Sequence, residues 1–203
     1  KAQVPVSLSE DGKLCAGFYS KRTHRVTDCD DCKLQMKEFS PIIKAVKSFI
    51  AENPVTVYDE KTGKGLVRHI YLRRGAKTGE IMVCLVINGD DLPKKERLIK
   101  ALTGTDENIK SIVLNINKED TNVVLGKKCI TIYGSDYIED ELLSLRFRIS
   151  PLSFYQVNPV GTEILYSKAR AYAALVPGET LLDLYCGAGT IGLTMAEDAG
   201  QVI

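Results

Sequence analysis

The sequence predicts an α/β fold in two parts. Between about residues 37 and 133, amphipathic helices alternate with apolar strands, as in a sheet covered by helices. After residue 180, an apolar strand leads into a glycine turn and then into a segment of helical spacing. An acidic stretch around Glu139 separates the two patterns. We therefore expect a central α/β (or α+β) domain over residues 1–143 and the beginning of a second domain over residues 144–203.

The composition is that of a globular protein. Of the 203 residues, 44% are hydrophobic and 26% charged, which disfavours disorder and fibrous repeats. Twenty-seven basic and 26 acidic residues give a net charge of +1, so nucleic-acid contacts must come from local patches. No apolar run approaches the roughly 18 residues that cross a bilayer, and no secretory signal is visible. Six cysteines without a secretory signal indicate a reducing, cytoplasmic setting, and we expect a monomer. We also expect a fragment, because the chain lacks an initial methionine and stops where a strand opens.

The elements of the first part follow from hydrophobic spacing and from proline and glycine. Six apolar residues at helical spacing predict the first helix, and Asn53-Pro54 predicts its end. The first 36 residues are typical of short strands and loops. The other predicted elements are a helix over 37–51, strands over 65–73 and 80–88 joined by a turn at 75–79, a helix over 94–102, and strands over 109–116 and 129–133.

The second part begins with a strand at Leu145–Ile149, where apolar and basic residues alternate. Asn158-Pro159 is typical of an N-cap followed by proline at the first helical position, and predicts a long amphipathic helix. That helix is expected to end before Pro177. A strand over 181–184, a glycine turn over 187–189, a helix over 191–196 and the opening of another strand at 201–203 follow.

The glycine turn is the most informative segment. Its strand reaches Asp183, and Gly187 and Gly189 let the backbone bend sharply and approach a ligand without a Cβ in the way. The Gly-Lys-Ser/Thr ending of a phosphate loop is absent. Gly192 falls at the spacing of a dinucleotide-binding motif, so from the spacing alone a dinucleotide fold and a plain strand–turn–helix corner both stay open.

Two segments resemble a known family. Residues 183–190, Asp-Leu-Tyr-Cys-Gly-Ala-Gly-Thr, resemble the first motif of class I methyltransferases. Residues 153–159, Ser-Phe-Tyr-Gln-Val-Asn-Pro, resemble the SFxQVN segment of the RNA uracil-5-methyltransferases, which methylate carbon 5 of uridines in 23S rRNA and tRNA. Residues 17–24, 65–70 and 145–151 also resemble that family. The resemblance implies S-adenosylmethionine as cofactor and a Rossmann-like methyltransferase domain whose first strand–helix unit begins the second part.

The resemblance also implies roles for particular residues. Those implied to bind the cofactor or shape its pocket are Gln156, Tyr185, Thr190, Asp183, Gly187 and Gly189. In the family a cysteine attacks carbon 6 of uracil, and a carboxylate later removes the carbon-5 proton. Both groups are expected beyond Ile203, so no catalytic residue is expected within this chain and the fragment alone is expected to be inactive. Cys186 is interpreted as a small turn residue.

Cys29 and Cys32 form a CxxC pattern. Together with Cys15 and His24 they would supply four zinc ligands, but the spacing matches no zinc module. The resemblance implies instead that Cys32 is a candidate fourth ligand of a [4Fe–4S] cluster in the full-length protein, with the other ligands before Lys1. An ordinary loop cysteine is the alternative. In the family that the chain resembles, the tRNA-modifying branch generally lacks the cluster cysteines. The presence of Cys32 therefore favours 23S rRNA over tRNA as the substrate.

Two basic clusters are candidate RNA contacts, because lysine and arginine neutralise phosphates. The first cluster consists of Lys21, Arg22, His24 and Arg25, and the second of Lys64, Arg68, Arg73, Arg74 and Lys77. The residues assigned to RNA contact are Lys21, Arg22, Arg68, Arg73 and Arg74. A solvated strand face is the alternative for such a charge run. A target uridine would also have to leave its stack to reach an active site.

These observations favour a fragment of an S-adenosylmethionine-dependent enzyme that methylates carbon 5 of a uridine in RNA, 23S rRNA before tRNA. Two other functions stay open: a non-catalytic RNA-binding module, and a class I methyltransferase with another substrate. A nucleophilic cysteine and a carboxylate base elsewhere in the full-length protein would favour methylation of uridine carbon 5 over a class I methyltransferase with another substrate.

Overall fold

The computed structural model describes residues 1–203, which form eleven strands and four helices. The strands are β1 Ala2–Leu8, β2 Leu14–Tyr19, β3 Val26–Asp28, β4 Val67–Arg74, β5 Ile81–Ile87, β6 Ile109–Ile116, β7 Lys128–Gly134, β8 Ile138–Leu142, β9 Leu145–Ile149, β10 Thr180–Leu181 and β11 Gln201–Val202. The helices are α1 Phe39–Glu52, α2 Lys95–Thr103, α3 Pro159–Ala173 and α4 Thr190–Thr194. None of them combines the length and apolar character of a bilayer span.

The chain divides into two compact units. The first unit comprises Lys1–Arg74 and Glu80–Ile138, and the second comprises Gly75–Gly79 and Glu139–Ile203. The turn between β4 and β5 thus belongs with the later residues. Our domain assignment, with its boundary between residues 143 and 144, stays a prediction.

The first unit is built on a seven-stranded sheet in the order β3-β2-β1-β4-β5-β6-β7. All neighbours pair antiparallel except β5 and β6, which are parallel. The parallel pair needs a crossover connection, and α2 supplies it. The mixed α/β fold predicted from the alternation of elements is confirmed.

One face of this sheet carries the main hydrophobic core. Alternate residues of β4, β5 and β6 pack there against the two helices, since strand side chains point to opposite faces in turn. All six apolar positions that predicted α1 are buried. The helix begins at Phe39, two residues after its predicted start, and ends before Asn53, as the Asn53-Pro54 pair predicts. α2, β6 and β7 also form within one or two residues of their predicted bounds.

β8 is a strand that the sequence pattern did not predict. Its burial alternates, with Ile138, Asp140 and Leu142 inside and the two glutamates between them half-exposed. Three acidic residues among five hide the period of two, so the segment was interpreted as an acidic connection. β8 pairs with β9 through Leu143 and Ser144, whose φ angles of 49° and 66° match the mirror-image turns that tight hairpins favour.

The second unit also contains a short β–α–β segment. β10 pairs parallel with β11, and α4 lies between them in the chain. The predicted strand over 181–184 is regular only at Thr180–Leu181, whereas the predicted strand at the end of the chain is confirmed. In α3 the predicted N-cap and first proline are confirmed. Its buried residues, however, are Thr162 and Tyr166 rather than the apolar ones that indicated the helix.

Candidate functional site

The glycine turn between β10 and α4 has the backbone shape that its sequence predicts. Gly187 and Gly189 have φ angles of 56° and 72°, in the left-handed region that glycine adopts without steric cost. The Gly189 amide donates to the carbonyl of Cys186 at 2.8 Å and closes the turn. The next residue, Thr190, begins α4.

Asp183 ties the strand to the helix. Its amide donates to the Ile203 carbonyl at 2.7 Å, and its carboxylate accepts from the amide of Gly192 at 3.1 Å. A Cβ on Gly192 would lie only 3.1 Å from that carboxylate and from the Val202 side chain. A larger residue at this third glycine would force the side chains of Asp183 and Val202 to shift by a few tenths of an ångström.

Gln156 and Thr190 line one small surface concavity. The other residues that line it are Leu142, Tyr155, Pro159, Thr162 and Tyr166. The hydroxyls of Tyr166 and Thr190 are 3.1 Å apart, within hydrogen-bonding distance. The structure thus brings together two of the six predicted cofactor residues, from segments far apart in sequence.

The other four predicted residues belong to the turn itself. Tyr185 is 98% exposed and is absent from the lining of the concavity. Asp183, Gly187 and Gly189 shape the backbone, as described above. Cys186 is exposed, and its thiol lies 3.9 Å from the neighbouring Gly187 carbonyl, without a base or a carboxylate bonded to it.

Tyr155 and Asp140, which were not among the predicted site residues, form a hydrogen bond next to Gln156. The hydroxyl of Tyr155 bonds to the carboxylate of Asp140, which is only 2% exposed. Asp140 also accepts from the amide of Lys77 at 3.0 Å. Burial and then the nearby Asp140 charge raise the pKa of Tyr155 well above its usual value, so its hydroxyl remains a donor. The available sequence signal for Asp140 was its place midway between Ile138 and Leu142, since residues two apart in a strand lie on the same face.

The second basic cluster does not form the exposed patch that we predicted. Arg68 is 6% exposed, donates to the carbonyls of Asn117 and Glu119 at 3.0 and 2.8 Å, and lies 4.4 Å from the centre of the Tyr58 ring. Arg73 is also 6% exposed and donates to the Tyr71 hydroxyl. Side chains on both faces of β4 are buried, and both arginines bond to groups of this chain, so the structure does not support an RNA contact at Arg68 or Arg73.

Arg74, at the end of β4, lies 3.5 Å from the carboxylate of Glu38. Its guanidinium group is therefore partly neutralised within the first unit. An RNA contact at Arg74 stays a prediction.

The first basic cluster is exposed. Lys21, Arg22 and Arg25 lie in the connection between β2 and β3 and form no ion pair. The base of this hairpin is anchored at Glu60, whose two carboxylate oxygens lie 2.6 Å from the Tyr19 hydroxyl and 2.6 Å from His24 Nδ1. Three free cations therefore project from a hairpin with an anchored base.

The cysteines do not form a metal site on their own. Cys29 and Cys32 line a concavity of about 260 Å³ in the first unit. No group of three or more His, Cys, Asp or Glu residues is arranged to hold a metal ion, and His24 is bonded to Glu60. The role of Cys32 as a cluster ligand stays a prediction.

Proteins similar to this chain in sequence are named RNA methyltransferases. No protein-family model matches the chain. An uncharacterized RNA methyltransferase of Caldanaerobacter subterraneus is 48% identical over 186 residues, which cover 92% of this chain and 41% of that protein. Uncharacterized RNA methyltransferases of Halalkalibacterium halodurans and Clostridium tetani are each 45% identical over 202 residues, covering 100% of this chain and 44% of each relative.

Among solved structures, the fold matches the tRNA (uracil-54, C5)-methyltransferase of Pyrococcus abyssi, determined in complex with S-adenosyl-L-homocysteine. The TM-score is 0.76 with 28% sequence identity, over 96% of this chain and 46% of that chain. The chain thus spans less than half the length of the proteins it matches. Over nearly its whole length it is related in sequence to proteins named RNA methyltransferases, and it shares the fold of a tRNA uracil methyltransferase.

Proposed function

We propose that this chain is part of an S-adenosylmethionine-dependent RNA methyltransferase and carries part of its cofactor site. The observation that carries the proposal is that Gln156 and Thr190 line one concavity beside a glycine turn. The turn follows a strand of a parallel pair, and open α/β sheets bind ligands at the carboxyl ends of such strands. The names of the relatives and the ligand of the Pyrococcus structure support it.

The donor set fits this cofactor. The side-chain amide of Gln156 donates and accepts hydrogen bonds, which suits the ammonium and carboxylate groups of a methionyl moiety. Thr190 offers a hydroxyl, Gly187 faces open space, and the exposed Tyr185 ring offers an apolar face. When bound, the cofactor supplies an electrophilic methyl group; the residues of this chain bind and orient it.

We further propose that the methylated atom is carbon 5 of a uridine. The SFYQVN segment at residues 153–158 supports this, as does the uracil-54 specificity of the Pyrococcus enzyme. The cysteine nucleophile and the carboxylate base would lie in another part of the protein. The central domain over residues 1–143 would then position RNA, and residues 144–203 would begin the methyltransferase domain.

For the substrate we propose 23S rRNA, modified in the cytoplasm by a monomeric enzyme. The support is Cys32, at the place where iron–sulfur members of the family carry their fourth ligand. The relatives are named for RNA without a stated substrate, and the Pyrococcus enzyme acts on tRNA. The experiment must therefore include both RNAs.

Methyl transfer tests the proposal. The full-length protein would be incubated with methyl-labelled S-adenosylmethionine and transcripts of 23S rRNA or tRNA, and the RNA digested to nucleosides. We expect label in 5-methyluridine from 23S rRNA. Label from tRNA alone would contradict the proposal that 23S rRNA is the substrate. Label in another nucleoside would contradict methylation at carbon 5 of uridine, and no label in any nucleoside would contradict methyltransferase activity.

Cofactor binding tests the site. Gln156→Ala should weaken binding of S-adenosylhomocysteine about tenfold, which corresponds to about 1.4 kcal/mol. The matched control is Gln3→Ala, a second exposed glutamine, in the first unit, where no change is expected. Equal affinities for Gln156→Ala and the wild type, measured by calorimetric titration, would remove Gln156 from the site.

The exposed hairpin is the RNA surface that we propose. Lys21 and Arg22 lack acidic partners, so they are available to phosphates. Replacing both by alanine should weaken RNA binding and reduce the slope of log affinity against log salt by roughly 0.7–0.9 per lost phosphate contact. Lys95, already bonded to Asp91 at 2.8 Å, gives the control Lys95→Ala. An unchanged slope in the double variant would exclude the hairpin.

A further inference from the structure

We propose that Tyr166 is a positioning residue of the cofactor site: its hydroxyl holds Thr190, and thereby holds the glycine turn at the start of α4 in place beside Gln156. The inference rests on the proposed function, because it concerns the same site. It adds a residue that neither of the two sequence motifs contains.

The orientation of α3 is the first observation. Ile164, Leu165 and Tyr172 are more than half exposed, whereas Tyr166 is only 3% exposed. Apolar burial alone would not choose this orientation, since it leaves aliphatic side chains in water and buries a phenol. Another interaction of the inward face must contribute to setting the helix.

The inward face is a polar stripe. Thr162, Tyr166 and Arg170 are four residues apart and so lie on one side of the helix. Thr162 lines the concavity, the Tyr166 hydroxyl lies 3.1 Å from Thr190 Oγ1, and Arg170 forms a two-pronged ion pair with Asp198. The stripe therefore connects α3 to the first residue of α4, Thr190, and to the segment after α4, at Asp198.

Of these two connections, the one from Tyr166 is at the site. Its ring packs with Leu142 and Phe147 of the β8–β9 hairpin, which fixes the position of the hydroxyl. Tyr166, Gln156 and Thr190 line the same concavity. The Arg170 pair, in contrast, involves residues that do not line it.

Thr190 depends on this bond more than an average helix residue would. It follows Gly189, which caps α4 without a side-chain hydrogen bond, and α4 has only five residues. The turn before it is exposed from Leu184 to Ala188. Without the bond from Tyr166, the Thr190 side chain would be free to rotate and the start of the helix would lose a buried anchor.

Tyr166→Phe tests the role, because it removes the hydroxyl and keeps the packed ring. In the full-length protein we expect S-adenosylhomocysteine to bind about fivefold more weakly. The KM for S-adenosylmethionine should rise by a similar factor, while the KM for RNA stays unchanged. The control is Tyr172→Phe in the same helix, 82% exposed, with wild-type affinity expected.

A double-mutant cycle separates positioning from general weakening. If Tyr166 acts through Thr190, the loss in Tyr166→Phe combined with Thr190→Val should equal that of Thr190→Val alone, since interacting residues are not additive. Thr190→Ser keeps the hydroxyl and should retain near wild-type affinity. Fully additive losses, or wild-type affinity for Tyr166→Phe, would overturn the inference. A wild-type protein that binds no S-adenosylhomocysteine would overturn the proposed function as well.

Discussion

At the scale of single residues, burial determines the ionisation and the hydrogen bonding of the basic residues on β4. Arg68 and the neighbouring His69 are both buried, and each has a side-chain nitrogen without a hydrogen-bond partner, Nε and Nδ1 respectively. Burial lowers the pKa of His69 from 6.5 to about 4; the Arg68 charge adds to this and Glu60 opposes it. His69 is therefore neutral at neutral pH.

His69 makes the stability depend on pH. Below pH 6.5 the unfolded chain takes up a proton at this residue, whereas the folded chain does so only near pH 4. The contribution of the neutral histidine is therefore complete above pH 6.5 and is lost as the pH falls towards 4. Between about pH 7.5 and about pH 5 we expect a loss of about 2 kcal/mol in the free energy of unfolding.

Urea unfolding at the two pH values measures this loss. His69→Gln should abolish it, while replacement of the exposed His24, the other of two histidines, should leave it. A wild-type protein and a His69→Gln variant with the same pH dependence would contradict the assignment.

At the scale of elements, the N-terminus of α3 follows from local chemistry. The first amides of a helix lack intrahelical partners, and the side chain of Asn158 accepts from the amide of Gly161 at 2.9 Å. Pro159 at the first helical position has no amide to satisfy. This cap directly follows the segment that carries Gln156.

Asn158→Ala should lower the free energy of unfolding by about 1 kcal/mol, because it leaves an amide without its acceptor. Asn158→Asp keeps the acceptor and places a negative charge at the helix N-terminus, so stability should be retained. Urea unfolding of the two variants provides the measurement. Equal destabilisation by alanine and aspartate would show that the cap does not act through its oxygen.

Elements with a strong period were predictable, and elements with a masked period were not. α1 follows from six apolar residues at helical spacing, and β6 formed at its predicted bounds. β8 was missed because its three acidic residues hide the alternation. The presence of α3 was predictable, but its inward face was not, because hydrogen-bonding partners rather than apolar residues occupy that face.

At the scale of the whole molecule, the two units differ in how they are stabilised. In the first unit all seven residues of β5 are buried between neighbouring strands. In the second unit β10 and β11 have two residues each, and large apolar side chains such as Phe154, Leu184 and Tyr185 are exposed. Local opening requires less free energy where few apolar contacts hold a segment.

Hydrogen exchange of the 203-residue chain should show this difference. We expect the amides of β5 to exchange slowest and those of β10 and β11 to exchange orders of magnitude faster. β7, an edge strand of the large sheet, should be intermediate and serves as an internal reference. Mass spectrometry of peptides covering these strands is the measurement, and equal protection of β5 and β10 would contradict the expectation.

The sequence by itself determined the α/β class, most of the helices and strands, and the place of the glycine turn between a strand and a helix. These depend on local periodicity, proline and glycine, and a motif read along the chain. Only the tertiary structure decided that Gln156 and Thr190 share a concavity, that Tyr166 reaches Thr190, and that Arg68 is buried. Those facts depend on the order of strands in a sheet and on which face of a helix turns inward. Both arise from contacts between segments distant in sequence, for which a single sequence carries no local signal.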